Sequence, residues 1–226
     1  MSIKTNTLLL VLGIIPGCRN AETKPHILKN DSLKRSGLDS ISVGNFALEN
    51  EQHYLARKTK LCRELGLYDL QTESVSFELR MWNFPSMWDP SILYVLKKKD
   101  SIWTLFHYQY YIFRSTDPMK YSGGPVVDSA VMESVRPQKI SWTEYINNLR
   151  LDSLWNMKTE SAIQGKTFEV VDGSRSLLEI RAANTYKYLF YTMPTAFIEK
   201  DDNHKRFVEF KKRLVEPIIY KGMRNP

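Results

Sequence analysis

The chain has 226 residues, with 32 Lys+Arg against 25 Asp+Glu and a formal charge of +7. This length makes a single domain the natural expectation, and an aromatic share of 12% is enough for a sizeable core. No block of five or more like charges occurs, so the basic excess reads as a solvated mixed-charge surface.

The N-terminus carries the strongest signal. Lys4 precedes the apolar run Leu8-Leu9-Leu10-Val11-Leu12-Gly13-Ile14-Ile15, and Pro16-Gly17-Cys18 follows, with no acid before Cys18. A positive start, a short apolar stretch and a small-residue site make a secretory signal. The stretch falls short of the roughly 20 apolar residues that span a bilayer, and Arg19, Asn20, Glu22 and Lys24 follow at once. The segment Ile15-Pro16-Gly17-Cys18 resembles the lipobox of bacterial lipoproteins, with Pro16 departing from the usual small residue. The resemblance covers the first 18 residues. It implies that the Cys18 thiol is the lipid-attachment site and that residues 1–17 are removed as a signal peptide. It also implies a mature protein tethered to a membrane of the bacterial cell envelope, on its periplasmic or extracellular face. Two or more acyl chains anchor stably, at about 0.8 kcal/mol per buried CH₂. An acylated Cys18 leaves Cys62, the second of the two cysteines, without an intramolecular disulfide partner. At the envelope, an electrostatic partner of this surface would be anionic lipid or cell-wall polymer and not nucleic acid.

Residues 18–45 are polar and lack sustained periodicity, which predicts a flexible tether. A single domain is expected over 46–226. Leu48, Leu55, Cys62 and Leu65 share one face of a helix from about Leu48 to Leu65, ended by Gly66. Cys62 is then a small buried hydrophobe. Val75, Phe77, Leu79 and Met81 alternate with Ser76, Glu78 and Arg80, a half-buried strand with one wet face. Ile92–Leu96 and Ile102–Phe113 are further strands, with Lys97-Lys98-Lys99-Asp100 as the turn between them. The stretch Ser115–Pro125 is a loop, and Val126–Val135 another strand. Ser141 and Glu144 form a capping box opening a helix to about Trp155, with Tyr145, Leu149, Leu151 and Leu154 facing inward.

Phe168 and Val170 lead into a turn at Asp172-Gly173. Leu178, Ile180 and Ala182 alternate with Glu179 and Arg181; a turn at Asn184-Thr185 leads to Tyr186, Tyr188 and Phe190 on one strand face. A last helix is capped by Asp202 or Asn203, carries Phe207, Phe210 and Leu214 inward, and stops at Pro217. Two groups of strands, each followed by a helix, predict an α+β fold: a mainly antiparallel sheet with three helices packed against it. The run Asp172-Gly173, Leu178-Glu179-Ile180, Tyr186, Tyr191, Pro194, Phe207 also resembles the C-terminal part of small uncharacterised bacterial lipoproteins, a likeness that implies no activity.

No metal-ligand spacing, nucleophile elbow, phosphate loop or dinucleotide fingerprint is present, so no cofactor is expected. His26, His53, His107 and His204 are scattered, and His107 reads as a sheet histidine. Asp201-Asp202-Asn203-His204 reads as a helix start, ahead of a hard-cation site. Nothing selects two acids as a glycosidase pair. Met81 to Pro90 crowds Trp82, Phe84, Met87 and Trp88 between prolines. If exposed, these four residues would make a partner-binding loop for an envelope protein, glycan or lipid; otherwise they form a hydrophobic flap closing one end of the core. The expectation is a membrane-anchored, non-catalytic binding module. Its alternative is an envelope hydrolase using carboxylates and His107.

Overall fold

A computed structural model describes residues 26–28, 46–85, 90–113, 126–163 and 173–218; for 26–28, 46–50, 113 and 126 it describes the backbone. The fold is α+β. Strands β2 (Val75–Phe84), β3 (Ser91–Lys99), β4 (Ile102–Phe113), β5 (Val126–Val135), β6 (Arg175–Ala183) and β7 (Thr185–Thr192) form an antiparallel sheet in the order β5-β4-β3-β2-β6-β7. The three-residue strand β1 (His26–Leu28) pairs with the outer side of β5 as a seventh strand. It lies inside the stretch expected to be a tether. Helices α1 (Phe46–Glu64), α2 (Trp142–Leu149) and α3 (Asp202–Val215) complete the fold.

Strand alternation builds two cores, one on each face of the sheet. Leu79, Met81, Tyr94, Leu96, Leu105, Leu178, Ile180, Leu189 and Tyr191 point to one side, where Tyr145 and Leu149 of α2 and Phe207, Phe210 and Leu214 of α3 cover them. Trp82, Phe84, Leu93, Val95, Tyr108, Tyr110, Leu177 and Phe190 point to the other, against Leu61 and Cys62 of α1 and Leu65 just beyond it. The expected wet face of β2 is therefore dry: Glu78 is 1% exposed and Arg80 0%. Helix α1 lies over that face.

Local signals behave as the sequence suggests, with four shifts. Gly66 ends α1 in the left-handed region, φ 67°, a conformation open to glycine at little cost. The β3–β4 turn is two residues long, because Lys99 pairs with Ile102 and the three lysines stay in β3. Asp100 and Ser101 both take positive φ, 48° and 67°, matching the twist of a two-residue hairpin. Helix α2 is capped by Ser141, whose side chain accepts from the Glu144 amide, but it stops at Leu149. Arg150 turns left-handed, φ 49°, and a 3₁₀ helix over Leu151–Asn156 carries the chain to Trp155. The β6–β7 turn is Ala183-Asn184, one residue earlier than expected. Asp201, one residue before the expected pair, caps α3 by accepting from the His204 amide. The turn expected at Asp172 lies outside the described residues.

Strand β7 ends the sheet, and the chain itself covers that edge. Thr159 receives the Phe190 amide at 3.0 Å, and Glu160 receives the Thr192 amide at 2.6 Å. Lys187 donates to the carbonyls of Trp155 and Met157 at 2.5 and 2.6 Å. An edge strand so occupied is a poor template for pairing with another chain.

Candidate functional site

The sequence left two readings of the aromatic stretch, a partner-binding loop if exposed or a hydrophobic flap closing one end of the core, and the structure places two of its residues in the core. Trp82 is 0% and Phe84 1% exposed, because β2 runs on to Phe84 and carries both rings under α1. The two rings lie parallel with centroids 6.2 Å apart. Neither offers a free aromatic face to a partner. Met87 and Trp88 lie outside the described residues, so half of the nominated loop has no described geometry.

The densest chemistry instead sits beside Trp82, on the α1 side of the sheet. Glu179 of β6 is fully buried, and three donors converge on its carboxylate. Lys58 Nζ lies 2.9 Å from Oε1, Tyr186 Oη donates to the same oxygen at 2.8 Å, and Trp82 Nε1 donates to Oε2 at 2.8 Å. Lys58 also reaches Asp69 Oδ1 at 3.1 Å. Arg80, facing Glu179 across the β2–β6 ladder, pairs through Nε with Glu78 Oε1 at 2.7 Å. Its Nη1 donates to the Tyr68 carbonyl at 2.7 Å, and its guanidinium lies 4.7 Å from the Tyr68 ring centroid. Lys97 stands 3.4 Å from Glu78 Oε2, which also accepts from Tyr68 Oη.

Three cations (Lys58, Arg80, Lys97) thus meet three carboxylates (Asp69, Glu78, Glu179) in one network. Burying any of these charges alone is costly, and pairing plus hydrogen bonds offsets it. Elements distant in sequence supply them. Lys58 comes from α1, Asp69 from the turn after it, Glu78 and Arg80 from β2, and Glu179 from β6. Asp69 is fixed locally by accepting the Gln71 amide at 3.1 Å.

Burial and pairing leave the network chemically quiet. Burial alone would lower the Lys58 pKa, but the charge of Glu179 and hydrogen bonds to Glu179 and Asp69 outweigh it, so the ammonium is raised above its ordinary range. Burial pushes the Cys62 thiol up to about 12. Burial, then the Glu78 bond and charge, raises Tyr68; burial, then Glu179, raises Tyr186. The thiol, the Lys58 amine and the two phenols of the network therefore keep their protons at neutral pH. A reactive cysteine or lysine requires the opposite shift.

His107, the residue named for the hydrolase alternative, lies on the other face. It is 3% exposed, its ring centroid stands 5.3 Å from that of Tyr94, and burial lowers its pKa to about 4. His204 is fully buried, with Nδ1 3.0 Å from Asp201 and Nε2 3.4 Å from Glu160. Those two acids also serve the backbone, at the α3 cap and the β7 edge, which ties this cluster to the fold. Among the described residues no group of three or more His, Cys, Asp or Glu is arranged to hold a metal ion. Among them no helix is long and apolar enough to cross a membrane.

The sequence reading missed Lys58, Asp69, Glu78, Arg80 and Glu179 as a group. One signal was present. Glu78 and Arg80 share strand parity with Trp82 and Phe84, so a face ending in two large rings is a poor solvent face. The partners from α1 and β6 carried no such mark. No family model matches the chain, and no curated protein or solved structure shows significant similarity to it.

Proposed function

We propose that this chain is a membrane-anchored lipoprotein of the bacterial envelope, whose folded part is a non-catalytic binding module. The observation that carries the reading is the run from Lys4 to Cys18: charge, short apolar stretch, Gly17-Cys18 and an abrupt return to polarity. Cys18 is the acylated residue, and the acyl chains hold the domain at a membrane without spanning it. The partner is an envelope component, whether protein, glycan or lipid.

The described chemistry favours binding over catalysis. The charged network under α1 is balanced, and its thiol, amine and phenols are held protonated. A hydrolase built on His107 draws no support, since that imidazole is 3% exposed and packed within the sheet. Substituting Cys18→Ser tests the anchor. Metabolic labelling with a clickable fatty acid should mark the parent and not the variant, and the variant should leave the membrane fraction or accumulate unprocessed. Unchanged labelling and fractionation of the variant overturn the proposal.

A further inference from the structure

One cluster of charge lies outside the balanced network. It gathers where the early turns of α1 meet the end of β2 and the start of β6. Tyr54 of α1 is the centre. Its ring stands 4.9 Å from the Phe84 ring and 5.4 Å from the Phe190 ring, centroid to centroid, which fixes it to the core. Two guanidinium groups lie within 6 Å of the Tyr54 ring centroid. Arg57 Cζ is 5.5 Å from the Tyr54 centroid and 5.3 Å from that of Phe84. Arg175 Cζ is 5.9 Å from the Tyr54 centroid. Arg175 faces Phe84 across the β2–β6 ladder, so both arginines are set by the same strand end. The ring of His53 meets Tyr54 edge-on at 5.5 Å.

Nothing described neutralises this charge. Among the described residues no carboxylate lies within 4.0 Å of either guanidinium. The nearest acids of α1 are engaged elsewhere: Glu51 accepts from Thr159 at 3.2 Å, and Glu64 accepts the Val127 amide. The Nε atoms of Arg57 and Arg175 are both buried and without a hydrogen-bond partner among the described residues. A buried donor left unmade is costly, so two such donors at one aromatic ring mark a place where an acceptor belongs.

We propose that Arg57 and Arg175 form a binding site for a phosphomonoester group above the Tyr54 ring. Arg57 offers Nε–H and an Nη–H as a planar fork, the geometry that takes two oxygens of one oxyanion; Arg175, whose Nη1 donates to the Gly173 carbonyl, offers Nε–H and Nη2–H in the same way. Two forks present two charges. A phosphomonoester answers with three acceptor oxygens and about −1.5 to −2 charges, where a single carboxylate brings two oxygens and one charge. Stacking on Tyr54 and Phe84 holds the forks in place before the ligand arrives, which lowers the ordering cost of binding. The His53 imidazole already registers the field: burial, then the charges of Arg57 and Arg175, lower its pKa.

The site gives the binding module a ligand class and does not depend on its anchor. It is tested by a different measurement, calorimetry, which succeeds or fails whatever Cys18→Ser does. The full chain in neutral detergent is titrated with inorganic phosphate and, separately, with dihexanoyl phosphatidic acid below its micelle concentration. Equal affinities identify the phosphate itself as the ligand, and tighter binding of the second identifies a lipid headgroup. Arg57→Gln and Arg175→Gln should each weaken binding about tenfold or more, the loss of a charge-assisted hydrogen bond. Arg57→Lys, which keeps the charge and removes the fork, should weaken it as well. Arg63→Gln, an exposed change on the same helix, should leave it unaltered. If Arg175→Gln does not fold, Arg57→Gln decides. The proposal is overturned if the parent binds neither probe at millimolar concentration, or if Arg63→Gln weakens binding as much as Arg57→Gln.

Discussion

Replacing Glu179 by glutamine should be the most damaging isosteric change in the protein. The glutamine keeps the shape and one acceptor oxygen. It removes the charge that faces Lys58 at 2.9 Å and turns a donor toward one of the three groups that donate to Glu179. Breaking a buried ion pair from one side typically costs about 3–5 kcal/mol, most of it the burden of the charge left behind. Here Asp69 still holds Lys58 at 3.1 Å, so the lower end applies, about 3 kcal/mol. For a chain of this size each kcal/mol moves the thermal midpoint by about 2–4 °C, giving a fall of about 6–12 °C. Circular dichroism melts of parent and variant measure it. The double variant Lys58→Met/Glu179→Gln removes the stranded ammonium and should melt above Glu179→Gln alone, with a coupling of at least about 1 kcal/mol. A single-variant midpoint within about 2 °C of the parent, under 1 kcal/mol by the same conversion, refutes the reasoning.

Two further outcomes follow from buried titratable groups. Cys62, with its thiol raised to about 12 and 1% exposed, should resist iodoacetamide at pH 8 in the native state and react fully in urea; prompt native labelling contradicts its burial. His107 has a folded pKa lowered from 6.5 to about 4, so between those values the unfolded chain binds more protons. Stability should therefore fall as pH drops from 6.5 toward 4, by up to about 1.4 kcal/mol per unit once the unfolded imidazole is charged. Denaturant titrations of the parent and of His107→Phe over that range should differ in slope, with the variant flatter; equal slopes refute the assignment.

Much of the scaffold was legible because its signals are local. The alternation in β2 and β6, the Ser141 cap and the Phe207–Phe210–Leu214 stripe of α3 each lie within one short window. What failed was non-local. Glu78, Arg80 and Glu179 have the alternation of a solvent face, and only α1, folding back over β2 and β6, turns that face into an interior. Trp82 and Phe84 join the core as the flap reading had it, but from within a strand, since β2 runs to Phe84 where Pro85 and Pro90 had suggested irregular structure. Arg57 and Arg175 are 118 positions apart in the chain, and only the packing of α1 against the end of the β2–β6 ladder brings both to the Tyr54 ring.

The charged pairs across that ladder also decide something apolar packing leaves open. A one-residue slip of β2 against β6 would turn Leu79 and Met81 toward the wrong face, and burial alone forbids it. A two-residue slip keeps every face. In one direction Leu79 would meet Ala182 and Met81 would meet Ile180, pairs an apolar core accepts. The native ladder sets Glu78 opposite Arg181 and Arg80 opposite Glu179. Sliding two residues one way opposes Arg80 to Arg181, and the other way opposes Glu78 to Glu179; like charges facing across strands repel. The opposed charges thus work as a key that fits one tooth of the ladder. Lys58→Met/Glu179→Gln removes both the native Arg80–Glu179 opposition and the Glu78–Glu179 clash of one slip, and should leave a folded sheet that samples that second alignment, visible as doubled amide resonances along β6 and absent from the parent.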